Sequence, residues 1–208
     1  YKLPIGCDVP ETIILADGDF PSHPLALEWL RQCPYVVCCD GAANTYIRSG
    51  RMPEAIVGDG DSLLPDIKER YASLIHSEAE QETNDLSKAF CFCLSQERKR
   101  ITIMGATGKR EDHTIGNVSL LADYMEQAEV SMMTDYGIFV PIREDSMFES
   151  YIGQQISVFN MNSTALSAEG LAYPLSVFTN WWQGTLNEAL ARHFIIRTEG
   201  KVLVFRVF

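Results

Sequence analysis

Ala55-Ile56-Val57-Gly58-Asp59-Gly60-Asp61-Ser62 is a short apolar run that ends in two glycines and two carboxylates. It reads as a buried strand spilling into a tight polar loop. In an extended segment side chains two apart share a face, so Asp59 and Asp61 can point the same way. Gly60 between them lets backbone or a ligand approach closely. Two like charges held that near each other repel unless a proton or a cation lies between them. Near neutral pH a hard cation with oxygen ligands, such as Mg2+, meets that need. The plain alternative is a polar turn with exposed aspartates, because Asp and Gly both favour turns.

Outward from this stretch, strands and helices alternate. On its N-terminal side, Thr12–Ala16 and Tyr35–Cys39 are apolar runs that stop at Asp17 and Asp40, and His23–Cys33 and Ala42–Ser49 carry helical patterns. On its C-terminal side, Pro65–Ile75 reads as one helix and Leu86–Gln96, opened by Gln81-Glu82-Thr83-Asn84-Asp85, as another. Ile101–Met104 is a strand leading into Gly105-Ala106-Thr107-Gly108-Lys109-Arg110-Glu111-Asp112-His113, with a helix from about Thr114 to Ala128 and a strand at Val130–Met133. Such alternation predicts a parallel sheet covered on both faces. Ligands of these sheets collect at the carboxyl ends of strands, where Asp17, Asp40, Asp59 and Gly105 all fall.

After about Tyr136 the texture changes to short strand-like runs punctuated by Gly153, Gly170, Gly184 and Gly200, with Glu199-Gly200 as a hairpin turn. The fold expected is therefore α/β: a three-layer α/β/α parallel-sheet domain over residues 1–142, and a small antiparallel β-sandwich-like domain over 143–208.

The chain has 208 residues, 46% hydrophobic and 22% charged, an ordinary globular composition. Its formal net charge of −11 disfavours nucleic acid or an anionic membrane surface as a partner, since no basic field exists to collect phosphates. No stretch reaches the roughly 20 apolar residues of a membrane span. The six cysteines, Cys7, Cys33, Cys38, Cys39, Cys91 and Cys93, lack CxxC spacing and read as reduced thiols. The first ten residues lack a signal-peptide pattern, so a cytoplasmic location is expected.

Single motifs are ambiguous. Asp85 and Asp112 near helix starts can simply satisfy backbone N–H groups, Lys88 can be a surface charge, and Asn44 and Asn117 ordinary helix residues. Gly105-x-x-Gly108-Lys109 fails as a Walker A loop, because the required Gly and Ser or Thr are replaced by Ile103 and Arg110. A backbone anion nest in this loop remains open.

Taken together, Asp40-Gly41-Ala42-Ala43-Asn44, Gly58-Asp59-Gly60-Asp61-Ser62, Thr83-Asn84-Asp85-Leu86-Ser87-Lys88-Ala89 and Gly105 to Thr114 come in the order and approximate spacing of a known set. The chain closely resembles the thiamine pyrophosphokinase family, and looks like a bacterial-type member. The resemblance implies transfer of a pyrophosphoryl group from ATP to the hydroxyl of thiamine, giving thiamine diphosphate and AMP. It implies that Asp59, Asp61 and Asp85 hold Mg2+, and that Asp40, Asn44, Thr83, Lys88 and Arg110 line the nucleotide. Asp17 and His113 join the nucleotide set, and Asp112 lies near the metal-phosphate centre or the thiamine. The family's Ser-Asn pair before the last hairpin corresponds here to Leu186-Asn187, leaving Asn187 as the thiamine contact. A homodimer follows from the resemblance as well.

Two other readings compete. Ile13 to Asp19 is similar to the strand-then-DxD nucleophile of haloacid-dehalogenase-like phosphohydrolases, with Asp17 as nucleophile. Phe20, where Thr or Val is usual, and the closeness of the two acidic motifs stand against it. A nucleotide-binding sensor without catalysis is the other, since fold does not fix function.

Overall fold

The computed structural model describes residues 1–4, 8–77 and 83–208. Cys7 and the helix-opening residues Gln81 and Glu82 lie outside the described residues. Six strands form a parallel array: β1 (Thr12–Leu15), β2 (Val36–Cys39), β3 (Ala55–Gly58), β4 (Ile75–Ser77), β5 (Arg100–Met104) and β6 (Glu129–Met133). Four more continue the same sheet in antiparallel fashion: β7 (Gly137–Ile142), β9 (Gln155–Asn160), β11 (Asn187–Glu188) and β13 (Val202–Val207). The order across it is β11-β9-β13-β7-β6-β5-β1-β2-β3-β4. A separate antiparallel sheet is built from β8 (Ser146–Glu149), β10 (Leu166–Glu169) and β12 (His193–Thr198), in the order β10-β12-β8.

Helices α1 (Pro24–Gln32), α2 (Ala42–Arg48) and α3 (Pro65–Arg70) pack on one face, α4 (Asp85–Ser95) and α5 (Glu111–Tyr124) on the other. Strand alternation divides the core accordingly. Ile13 and Leu15 face Trp29 and Leu30 of α1, whereas Ile14 faces the side where Phe90 of α4 and Leu121 of α5 lie. Across the antiparallel junction Met132 pairs with Phe139 and Met133 with Ile138. The face that carries α1–α3 thus continues into Ile138, Val140 and Ile142, and there the small sheet replaces the helices. Phe148 and Phe194 of that sheet stack at 5.0 Å, both fully buried.

Three local readings change. The Pro65–Ile75 helix stops at Arg70, a 3-10 turn follows over Ala72–Leu74, and Ile75 begins β4 by pairing with Ile56 of β3. Sheet pairing here outweighs the helical periodicity of a short segment. The last helix runs from Glu111 to Tyr124, earlier at both ends than the expected 114–128. Glu111 and Asp112 in its first turn suit the positive end of the helix. Glu199-Gly200 is not a hairpin turn, because β12 pairs with β8 and β10 while β13 pairs with β7 and β9. The turn instead carries the chain from one sheet to the other.

Residues 1–142 expressed alone should be insoluble or lack fixed tertiary packing. Without β13 the strand β7 becomes an edge, and Ile138, Val140 and Ile142 lose their cover. Soluble yield and near-ultraviolet circular dichroism check this, and a soluble fragment with native-like packing would contradict it.

Candidate functional site

The loops that leave β1, β3 and β5, with the start of α4, enclose a cavity of about 840 Å³ at the carboxyl ends of the parallel strands. Of the residues singled out from the sequence, Asp17, Asp59, Thr83, Asp85, Lys88, Arg110, Asp112 and His113 line it. Their placement rests on ordinary local chemistry. Asn84 caps α4 by accepting the Ser87 N–H (2.8 Å), which fixes Asp85 at the first helical position and Lys88 one turn on. The Ser87 and Tyr124 hydroxyls hydrogen-bond at 2.8 Å, and the Phe90 and Tyr124 rings stack at 3.9 Å. These contacts lock α4 against α5, which carries Asp112.

The β5–α5 loop is held from both sides. The Asn117 amide donates to the Ala106 carbonyl (2.8 Å), while the Gly18 and Asp19 N–H groups donate to Gly105 and Thr107. Gly108 has φ +78°, and a Cβ there would collide with the Asp19 carboxylate, so only glycine fits. Lys109, also left-handed at φ +56°, sends Nζ to the Asp17 carbonyl (2.7 Å) and carboxylate (3.1 Å). The Arg110 guanidinium donates to both Asp112 oxygens (3.1 and 2.6 Å) and holds that carboxyl down at about 2. Lys88 is buried, with Nζ 3.6 Å from Asp85. Lys109 and Asn117 also line the cavity, although the sequence reading assigned neither a role there; the Gly-Lys-Arg run after β5 was the legible signal for Lys109.

Other expected residues lie elsewhere. Asn44 does not line the cavity: it accepts from Leu64 N–H (2.9 Å) and donates to the Ser62 carbonyl (2.8 Å), and so clamps the acidic loop. Asp61 lines a separate depression with Lys68 and Glu69. The reason is that the segment after β3 curls instead of staying extended: Asp59 Oδ1 accepts the Asp61 N–H (3.0 Å), and Lys68 Nζ holds the Gly60 carbonyl (2.9 Å). Among the described residues no group of three His, Cys, Asp or Glu side chains is gathered tightly enough to hold a metal ion. Asp40 is buried (2% exposed), with Oδ2 accepting the Ser62 N–H (2.9 Å) and Oδ1 unpartnered. Burial pushes its pKa up, and the nearby Asp85 and Asp59 charges act in the same direction against the Ser62 hydrogen bond. A buried acceptor facing other carboxylates suits a cation, and carboxylate oxygens are the donor type that Mg2+ takes.

Residues 26–133 match the family model for the thiamin pyrophosphokinase catalytic domain, and residues 137–205 the one for the thiamin pyrophosphokinase substrate-binding domain. The chain belongs to the thiamin pyrophosphokinase family. Thiamine pyrophosphokinase 1 of Oryza sativa subsp. japonica is 30% identical over 129 residues, 50% of this chain and 49% of the relative. The enzyme of Bacillus subtilis (strain 168) is 34% identical over 86 residues, 39% of this chain and 40% of the relative. The chain thus spans about half the length, or less, of these curated relatives. In three dimensions the likeness is broader. The crystal structure of thiamine pyrophosphokinase from Bacillus subtilis superposes with a TM-score of 0.78 at 20% identity, covering 94% of this chain and 98% of that one. That from Candida albicans gives 0.77 at 19%, covering 94% and 90%. Neither the phosphohydrolase nor the sensor reading is favoured by these matches, and the Asp17 carboxylate is engaged by Lys109.

In the part matching the family's substrate-binding domain, Asn187 is buried and fully engaged. It accepts from Tyr173 and Glu188 N–H and donates to the Tyr173 carbonyl. Leu186 beside it is 78% exposed at φ +60°, and Trp182 is 73% exposed.

The raised Asp40 pKa carries a stability consequence. The folded state holds this proton more tightly than the unfolded chain, so the carboxyl favours folding below its unfolded value near 4 and loses that contribution as pH rises through the folded one. Asp40→Asn should therefore stabilise the metal-free protein at neutral pH, because it removes a buried charge whose Oδ1 has no hydrogen-bond partner. The difference from the parent should shrink as pH falls below about 4. Denaturant titrations in chelator at several pH values measure it; a variant less stable at pH 7 would refute the burial argument.

Proposed function

We propose that this chain transfers a pyrophosphoryl group from ATP to the hydroxyethyl oxygen of thiamine, giving thiamine diphosphate and AMP. The observation that carries the reading is the shared cavity of Asp59, Thr83, Asp85, Lys88, Arg110 and Asp112, drawn from separate loops of a chain in this family. Attack of an alcohol on a phosphoryl centre needs alignment and charge neutralisation more than covalent help. Lys88 and Arg110 supply fixed positive charge for the transferred phosphates, and Lys109 extends that charge toward Asp17. Asp40 and His113 complete the nucleotide end, with Asn44 acting through the loop it clamps. Mg2+, held by Asp59, Asp61 and Asp85, would neutralise charge developing on the phosphate oxygens. For Asp61 to join, the Asp59–Asp61 turn must open.

In the reaction the thiamine oxygen bonds to the β-phosphorus, and the bond from that phosphorus to the α–β bridging oxygen breaks. AMP departs with the bridging oxygen, and the hydroxyl proton passes to a cavity carboxylate. Residues 1–142 would handle the nucleotide and 143–208 the thiamine, where Asn187 orders the backbone beside exposed Leu186 and Trp182. A homodimer would cover the exposed Tyr173, Trp182 and Leu186 and the half-buried Phe139, Phe159 and Phe205. The cytoplasm suits the described cysteines, all free. No helix among the described residues is long and apolar enough to cross a membrane.

Incubation with ATP, Mg2+ and thiamine, read by mass, should give AMP and a thiamine product two phosphates heavier in equal amounts. ADP with thiamine monophosphate would overturn the proposal, thiamine-independent phosphate release would favour a hydrolase, and bound nucleotide without turnover a sensor.

Asp59→Asn should lower kcat at least about a hundredfold, the scale of losing a main electrostatic contribution. Steady-state kinetics check it, and a variant near the parent rate would remove Asp59 from the centre.

A further inference from the structure

A second cavity, of about 540 Å³, lies at the opposite end of β5 from the main one, beside Ile101 and Thr102 near the start of that strand. Trp29, from the core beneath α1, lines it together with Ile138 and Val140, from the core beneath the small sheet. It therefore occupies the gap where the helical cover of this face stops. Cavities of this size, with apolar walls and a few polar groups, are the common form of small-molecule sites. No described residue lines both this cavity and the main one.

The polar groups here are few. Arg206 of β13 is 2% exposed, and its Nη1 and Nη2 donate to the Glu149 and Lys2 carbonyls (3.1 and 2.9 Å). The Phe148 ring lies 5.2 Å from the guanidinium, and Nε has no partner. Glu149 acts on it only from a distance, since that carboxylate accepts the Leu3 N–H (3.2 Å). Burial pulls the guanidinium pKa down to about 10. A buried cation without a counter-charge of its own is costly. On the floor the Thr102 and Ser131 hydroxyls stand 3.1 Å apart. One hydroxyl proton serves that bond, which leaves the other to donate to an incoming oxygen.

The exposed mouth has the opposite charge. Arg100 is already shared between Glu11 (2.6 Å) and Glu129 (3.3 Å), and Asp8 adds a further carboxylate against Lys2. Such a mouth resists a phosphate dianion more than a monoanion.

We propose that this second cavity binds a small apolar monocarboxylate, with its body against Trp29, Ile138 and Val140 and its carboxylate toward Arg206 as the missing counter-charge. The site is separate from the phosphoryl chemistry and does not depend on it.

The probe is 3-phenylpropionate, titrated calorimetrically into the full chain at neutral pH beside its neutral amide and phenyl phosphate. The acid should bind saturably and at least about tenfold tighter than either analogue, the scale of one charge-assisted hydrogen bond. Arg206→Gln should lower the affinity for the acid to that of the amide. Ser131→Leu, which fills the cavity and leaves the guanidinium contacts alone, should abolish binding. Near-ultraviolet circular dichroism shows whether each variant is folded; if Arg206→Gln is not, the comparison of acid with amide on the parent protein decides. Equal affinity for acid and amide, tighter binding of phenyl phosphate, or parent-like binding by Ser131→Leu each overturns the proposal. So does a failure to saturate the parent by about 10 mM, since a ligand of this size in a matching site binds more tightly than that.

Discussion

Strand β7 is paired on both sides, to β6 and to β13, and the two halves of the molecule depend on that pairing. It turns a parallel α/β sheet into an antiparallel one without interrupting the ladder, so no strand edge is left at the junction. The change of cover on one face follows from it. Where the parallel part ends, helices give way to the small sheet, because antiparallel strands joined by short loops bring no crossover helices with them.

Placing the site at the other end of the parallel strands lets rigid elements deliver mobile chemistry. Successive strands stop at a glycine or an aspartate, and their loops are tied to one another by side-chain clamps: Asn44 on the acidic loop, Asn117 on the β5–α5 loop, Lys109 on the loop after β1. Such clamps cost little, since each satisfies backbone groups that would otherwise lack partners. They explain why polar side chains that only bind backbone stand beside the cavity.

The cations that line the cavity are each paired with a carboxylate. Exposed pairs such as Arg110–Asp112 contribute little to stability and exchange partners readily. The buried Asp40 is different. Its Oδ1 has no hydrogen-bond partner, so the fold carries an electrostatic cost there.

Hydrophobic periodicity alone revealed the alternating strands and helices, since Ile13 to Leu15, Val36 to Cys39 and Ile101 to Met104 each end at a polar loop and leave a turn no other reading. The four motif blocks in order revealed the family, and with it most of the cavity lining. What the sequence did not disclose depended on partners far along the chain. Ser146–Glu149 and Leu166–Glu169 are strands only because β12 lies between them, and each has just one buried side chain to announce it. Glu199-Gly200 has hairpin chemistry, yet the strands it joins find better pairing in different sheets. Asp59 and Asp61 share a face only if the loop is extended, and the Lys68 contact with Gly60 and the Asp59 contact with the Asp61 N–H curl it. Asp40 looks like any loop aspartate until Gly58 and Ser62 of the neighbouring loop enclose it. Local spacing determined which residues stand at the strand ends; long-range packing decided which of them meet, because burial and charge proximity are properties of neighbours in space.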